Sequence, residues 1–233
     1  MINDTGVLTT VITLPGIQNK QYSFKAIDGS FHELKTREGD SGYITLGIVK
    51  GKILDSAFAI DEISYDEAIC VKCSPEEAMR EMEYEEARKS RNEVDIILMD
   101  RKLSYDNLDV PDNVIAIVKD PPVVNVNVDK EEPWLIEAYS KGKIRGAYFK
   151  LVNISWVFLV ETPSNLSWSE ILYILYVLGT EPIPEALGYN YPLYLADKVA
   201  KYYRDKGSRI LNFLNKNPSY RAFRSLMERN RRG

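Results

Sequence analysis

Two short runs of apolar residues constrain the fold of this chain more than any other feature. Residues 94–100 and 113–119 are short, almost continuous hydrophobic segments of the kind that form strands buried on both faces of a parallel sheet. A helix is predicted from about residue 75 to residue 90, because the N-cap serine Ser74 precedes a proline and a glutamate follows three residues after the cap. A strand, a helix and a returning strand form a right-handed crossover. The chain is therefore predicted to be an α/β protein whose sheet is partly parallel.

Alternating apolar and polar positions predict further strands before this helix. The segments that predict an antiparallel meander are residues 22–28, 42–49 and 52–60. The first is expected to end at a turn at Gly29 and Ser30, and the other two are expected to be joined by a hairpin at Lys50 and Gly51.

The rest of the chain is predicted to extend the sheet and to cover it with helices. The expected elements are a short helix near 133–141, strands at 147–151 and 156–161, and helices at 168–178, 191–206, 208–214 and 219–230. Since no repeat or low-complexity linker divides the sequence, we expect one domain over residues 1–233. Its sheet core would span 22–161 and its helical flank, with a basic tail, would span 167–233.

The charge of the chain is distributed unevenly. The formal net charge is −4, which by itself argues against a nucleic-acid binder. Residues 198–233, however, hold eleven basic and two acidic residues, a local charge of +9, whereas residues 1–197 carry −13. The sequence thus predicts an acidic body and a basic tail, and the tail could contact DNA or an acidic partner.

Composition excludes several other classes of protein. A hydrophobic share of 45% with 27% charged residues is typical of a globular chain and not of a disordered one. Cys70, Cys73 and the single histidine, His32, are too few ligands for a structural zinc site, although a redox role of the C-x-x-C pair stays open. No apolar run reaches the length of a membrane span, so a cytoplasmic protein without a membrane segment is expected.

Three carboxylates interrupt otherwise apolar elements. If 94–100 lies beside the first strand of the meander, Asp28 and Asp100 meet at the carboxyl ends of neighbouring strands, where open α/β sheets bind ligands. Glu83 interrupts the apolar stripe of the predicted helix. Such an oxygen-rich set suits Mg²⁺ or Mn²⁺ and phosphoryl transfer. The simpler interpretation, a turn-forming aspartate and a solvated acidic helix, also fits the spacing.

Five motifs, in their order along the chain, resemble those of the NurA nucleases. They are Ile27-Asp28-Gly29-Ser30, Arg80-x-x-Glu83-x-x-x-Ala87, the run from Ile97 to Leu103, the run from Ile115 to Asp120, and the run from Gly188 to Asp197. The resemblance spans residues 22–205. It implies an RNase H-like mixed sheet flanked by helices, and a Mn²⁺-dependent (or Mg²⁺-dependent) deoxyribonuclease of archaeal type.

The resemblance also implies roles and partners. Asp28, Glu83 and Asp100 would bind the metal and act in catalysis. The late aromatic of the family corresponds to Tyr189, which could contact DNA by stacking on a base or positioning a phosphate, or could only be a packing residue. The implied activity is a 5′–3′ exonuclease or single-strand endonuclease in DNA end processing and repair. Such a nuclease works as a homodimer with the HerA hexameric ATPase.

The chain departs from the family pattern at two motifs. Arg101 and Lys102 replace the glycine and serine that usually follow the second aspartate, and they could block a DNA substrate or grip it. The last motif ends in Asp197 where a histidine is usual, so that side chain can bind a metal but does not readily donate a proton. A catalytically inactive NurA-like adaptor, which binds DNA or the ATPase without cleavage, is therefore the alternative.

Basic residues supply the remaining DNA-binding candidates. Lys119 ends a predicted strand beside the acidic residues and could contact the scissile phosphate. Arg221 and Arg224 lie in the basic tail with aromatic neighbours, a combination that can follow a DNA backbone.

Overall fold

The computed structural model describes residues 10–16, 20–36, 39–106, 109–121, 128 and 131–216. The strands are β1 (Val11–Thr13), β2 (Gln21–Thr36), β3 (Gly39–Leu54), β4 (Ala57–Val71), β5 (Ile96–Met99), β6 (Val114–Val118), β7 (Trp134–Lys141), β8 (Ile144–Lys150) and β9 (Phe158–Thr162). The helices are α1 (Pro75–Ser90), α2 (Trp168–Gly179) and α3 (Tyr191–Lys216). Within these residues the strands form one mixed sheet in the order β1-β7-β8-β9-β6-β5-β2-β3-β4.

The predicted parallel unit is confirmed. β5 pairs in parallel with β2 on one side and with β6 on the other, and α1 makes the crossover from β4 to β5. The Ser74 side chain accepts a hydrogen bond from the Glu77 backbone N–H, so the expected N-cap forms. Local capping and continuous apolar runs were therefore sufficient to predict this part of the sheet.

The predicted ends of the meander strands are wrong. β2 continues through Gly29 and Ser30 to Thr36, and the hairpin between β3 and β4 turns at Asp55 and Ser56. Gly51 is a strand residue beside a register shift, and a Cβ there would lie 2.2 Å from the Ala59 carbonyl oxygen. Here a glycine serves close packing of two strands, so its presence did not indicate a turn.

Two later predictions are also corrected. The segment 133–141, predicted as a short helix, contains the strand β7 (Trp134–Lys141), which pairs with β8 through a hairpin whose Gly142 has a φ of +62°. Residues 191–206 and 208–214 belong to the single helix α3, which continues through Gly207. A Cβ at Gly207 would lie 2.1 Å from the Tyr43 ring, so this glycine permits close packing against the sheet. The helix expected at 219–230 lies outside the described residues.

Two hydrophobic clusters cover the two faces of the sheet. One joins Phe24 and Ala26 of β2 to α2 and α3, and the other joins Ile27 of β2 to Tyr84 and Ala87 of α1. Because side chains alternate along a strand, Asp28 belongs to the face that α3 covers.

A disulfide joins Cys70 of β4 to Cys73, which lies in the turn before α1. In the part of the chain described here, the helices are too short or too polar to cross a membrane.

Candidate active site

Asp28 and Asp100 meet because β5 is much shorter than β2. β5 ends at Met99, which pairs with Ile27, and Asp100 follows directly, while β2 continues past this point. Asp28 is therefore not at the end of its strand, as the sequence had suggested, but at the first position beyond its neighbour's end. Among the residues that the structure describes, no strand pairs with the β5-facing edge of β2 beyond Ile27.

A second close approach brings α3 to the same place. Asp28 pairs across the sheet with Gly47 of β3, and a Cβ at Gly47 would lie 1.9 Å from the backbone oxygen of Ala196. The backbone of α3 thus rests directly on β3, one residue before Asp197. The Thr45 hydroxyl further anchors this helix by donating a 2.8 Å hydrogen bond to the Ala200 carbonyl. Sequence analysis missed Gly47, although an isolated glycine inside a strand often marks such an approach.

Glu83 reaches β2 from the other face of the sheet. Its carboxylate is buried beside Gly29, where a Cβ would lie 2.5 Å from Glu83 Oε1, and the Gly29 backbone N–H donates to it. The Arg101 guanidinium forms an ion pair with Glu83, and its Nε donates to Glu83 Oε2. Gly29 is therefore required for space at this site, and Arg101 neutralises the glutamate.

Lys119 lies among the remaining carboxylates. Its Nζ is 2.5 Å from Asp100 Oδ2 and 4.7 Å from the centre of the Tyr189 ring, and the charges of Asp28 and Asp197 also act on it. Tyr189 is buried, 5% exposed, and packs against Phe158. Burial, with the nearby carboxylates, raises the pKa of its hydroxyl well above its usual range.

The carboxylates of this cluster are electrostatically strained. Burial raises the pKa of Asp28 well above its usual range, and the charges of Asp100 and Glu83 raise it further, while Lys119 opposes them. Burial likewise raises the pKa of Glu83, against the effect of Arg101. Buried like charges favour protonation or a bound cation. The site therefore favours a bound cation or a proton on one of the buried carboxyls.

The structure brings together five of the eight predicted site residues that lie in its described part. Asp28, Asp100, Asp197, Lys119 and Tyr189 interact directly or electrostatically with one another. Asp197 also forms an ion pair with Lys201, 2.8 Å away, on the next turn of α3.

The other predicted residues lie outside this group. Glu83 lies on the opposite face of β2, paired with Arg101, although its charge still acts on Asp28. Lys102 Nζ lies 4.0 Å above the ring centre of the exposed Tyr105. Arg221 and Arg224 are outside the described residues.

The donor set matches a hard divalent cation, but internal cations hold the positive charge. In the described part of the chain no three Asp, Glu, His or Cys side chains stand close enough together to surround a metal ion. The ammonium of Lys119 and the guanidinium of Arg101 each bind one of the carboxylates instead. Carboxylate oxygens are the ligands that Mn²⁺ and Mg²⁺ prefer, so the donor chemistry suits such an ion, but the described carboxylates would have to move closer together to surround it.

Comparisons with known proteins agree with the fold of the sheet and helices. The NurA nuclease from Sulfolobus solfataricus has 16% sequence identity with a TM-score of 0.61, and the alignment covers 86% of this chain and 85% of that one. Endonuclease V from Bacillus subtilis has 16% identity with a TM-score of 0.54, covering 80% of this chain and 82% of that one. Both likenesses support the predicted RNase H-like mixed sheet flanked by helices. No curated protein matches the sequence.

The family model described as the NurA domain matches residues 22–122 and 119–202. These segments contain Asp28, Glu83, Asp100 and Tyr189. The chain therefore belongs to the NurA family.

Proposed function

We propose that this protein is a deoxyribonuclease that hydrolyses phosphodiester bonds with Mn²⁺ or Mg²⁺. The observation that carries the proposal is the buried carboxylate of Asp28, held next to Asp100 at the open edge of β2. Asp28 and Asp100 would hold the ion, Glu83 would join them once released from Arg101, and Asp197 would complete the set. Family membership supports DNA as the substrate.

When bound, the ion would supply charge stabilisation at the scissile phosphate and activation of the attacking water. Lys119 would contact the DNA backbone in this arrangement. It is 41% exposed at the side chain and already faces Asp100, so it can transfer its ammonium contact to a phosphate oxygen of the substrate. The ring of Tyr189 lies under this ammonium and keeps it at the site.

The proposal is tested with end-labelled single-stranded and double-stranded DNA in Mn²⁺. The isosteric change Asp28→Asn removes one ligand charge and is expected to reduce cleavage at least 100-fold, because the acidic set then binds the cation weakly. Asp61→Asn is the matched control, since Asp61 lies on the surface of β4 and is about half exposed. Equal background degradation by the wild type and Asp28→Asn would contradict the nuclease function.

The finer properties form part of the same proposal. We expect a 5′–3′ exonuclease or single-strand endonuclease activity in end processing, a homodimer, and association with a HerA-like hexameric ATPase in the cytoplasm. Substrates labelled at the 5′ or at the 3′ end separate the polarities. Light scattering measures the oligomeric state, and co-purification with a HerA-like hexamer tests the partner.

A second candidate function, non-cleaving binding of DNA or of the ATPase, is favoured by the Arg101–Glu83 ion pair. The Arg101 guanidinium is paired with Glu83, a carboxylate that would have to bind the metal, and this pairing weakens metal binding at that carboxylate. DNA binding without metal-dependent cleavage, in both the wild type and Arg101→Gly, would support this candidate.

A further inference from the structure

The loop between β8 and β9 exposes two large apolar side chains. Ile154 and Trp156 are each 82% exposed, whereas the other two tryptophans of the chain, Trp134 and Trp168, are 3% and 8% exposed. Single exposed apolar residues are common, but two within three residues on one projecting turn form a surface that gains free energy when covered.

This turn is fixed against the candidate active site. The Ser155 backbone N–H and hydroxyl both donate to the Val152 carbonyl, at 3.0 and 2.9 Å. The Ser155 side chain fills the space beside Gly188, where a Cβ would lie 2.1 Å from Ser155 Cβ. Gly188 has a φ of +81° and directly precedes Tyr189. The loop is therefore held in position by the motif that lines the site.

Sheet topology places the loop at the edge where Asp100 lies. β9 runs antiparallel to β6 with Val118 opposite Leu159, so the residues before β9 lie next to Lys119, which follows β6. β5, β6 and β9 are consecutive strands of the sheet. Neighbouring strands are about 4.8 Å apart, and the start of β9 is three residues further along than the end of β5, at about 3.3 Å per residue, so the two lie about 14 Å apart. Lys119 lies between the two.

We infer that Ile154 and Trp156 form a stacking surface for unpaired bases of single-stranded DNA next to the scissile phosphate. The inference rests on the proposed function and specifies how the substrate is held. Stacking on an aromatic ring accepts every base, which suits a nuclease without sequence preference. Lys119 lies between this surface and the acidic cluster, and its ammonium would bind a phosphate between the stacked base and the reacting nucleotide.

The experiment combines two readouts on the full chain carrying Asp28→Asn, so that DNA is bound in Mn²⁺ without being cut. Anisotropy of a labelled oligo-dT measures affinity, and the long-wavelength edge of the tryptophan emission reports mainly on the exposed Trp156, because the two buried indoles emit at shorter wavelengths. Oligo-dT is expected to quench this fluorescence. Trp156→Ala is expected to weaken binding about tenfold and Trp156→Phe much less, since one stacked base contributes about that factor.

Ile154→Ala has a matched control in Ile63→Ala, an exposed isoleucine of β4 at the far edge of the sheet. The first should weaken oligo-dT binding and the second should not. DNA binding that leaves the fluorescence and the Trp156→Ala affinity unchanged would overturn the stacking surface while leaving the proposed function intact. Shielding of Trp156 from acrylamide by a protein partner, but not by DNA, would also overturn it. Absence of any DNA binding would contradict both.

Discussion

At the scale of single residues, two basic side chains determine the state of the acidic cluster. Arg101 binds Glu83 on one face of β2, and Lys119 binds Asp100 on the other. A buried carboxylate without a nearby cation would be strongly destabilising. These cations therefore stabilise the metal-free protein and compete with the metal that the proposed function requires.

Arg101→Ala tests this competition. Removing the guanidinium leaves Glu83 buried and unpaired, so we expect the metal-free protein to lose about 3–5 kcal/mol of unfolding free energy. Mn²⁺ should then bind more tightly than to the wild type and raise the Tm more. Thermal denaturation with and without Mn²⁺, together with calorimetric titration, measures both effects.

The control for this variant is Arg88→Ala. Arg88 also pairs with a glutamate, Glu81, but both side chains are substantially exposed, so the expected loss is below about 1 kcal/mol and independent of Mn²⁺. Equal Mn²⁺ affinity in Arg101→Ala and the wild type would show that the guanidinium does not compete with the ion.

At the scale of elements, the site exists because strands of unequal length and two glycines leave room for it. The short β5 exposes the edge of β2, Gly29 admits the carboxylate of Glu83 and Gly47 admits the backbone of α3. A Cβ at Gly47 would overlap a backbone oxygen, which cannot move aside, and a Cβ at Gly29 would displace the side chains of Glu83 and Met79. The acidic cluster therefore depends on element packing as much as on the acids themselves.

Gly47→Ala should displace α3. The new Cβ would meet a backbone oxygen, which cannot rotate away, so we expect a loss of about 3 kcal/mol of unfolding free energy and a lower cleavage rate as Asp197 moves. Chemical denaturation and DNA digestion measure the two effects. The control is Gly16→Ala, at a glycine whose Cβ would have no atom within 4 Å. It should change the unfolding free energy by less than about 0.5 kcal/mol and leave the cleavage rate unchanged.

The start of α2 predicts a dependence of stability on pH. Hydrogen bonds from Lys20 and Ser167 lower the pKa of Glu170 from 4.5 to about 2. Since the folded pKa is depressed, this contribution is present above pH 4.5 and is lost as the pH falls towards 2. Glu170→Gln should cost about 1 kcal/mol at pH 7 and less at pH 2.5. Urea denaturation at both pH values measures these losses, and Glu181→Gln is the control. A loss of unfolding free energy in Glu170→Gln that is the same at pH 7 and pH 2.5 would contradict the prediction.

At the scale of the whole molecule, opposite charges are separated along the chain. The acidic body contains the cluster that needs cations, and the last 36 residues carry the local charge of +9. The net charge of −4 is consequently a poor guide to DNA binding, which depends on where the positive charge lies.

The basic tail predicts how DNA binding depends on salt. Replacing Arg221 and Arg224 together by Gln should lower the slope of log Kd against log salt concentration by about 0.7 for each lost phosphate contact with a single strand. Lys89→Gln, at the exposed carboxyl end of α1, should leave the slope unchanged. Anisotropy titrations over a salt series measure it, and an unaltered slope in the double variant would exclude these arginines from the DNA contact.

The sequence by itself determined the elements that depend on local signals and the identity of the acids. The cap at Ser74 set the start of α1, and the apolar run before Asp100 identified a buried strand. Tertiary structure alone decided strand length and cation placement. β2 continues past Gly29, and Arg101 turns to Glu83, because pairing with β3 and burial of a carboxylate outweigh local turn preference. Such effects depend on residues far apart in the chain, so no local pattern could reveal them.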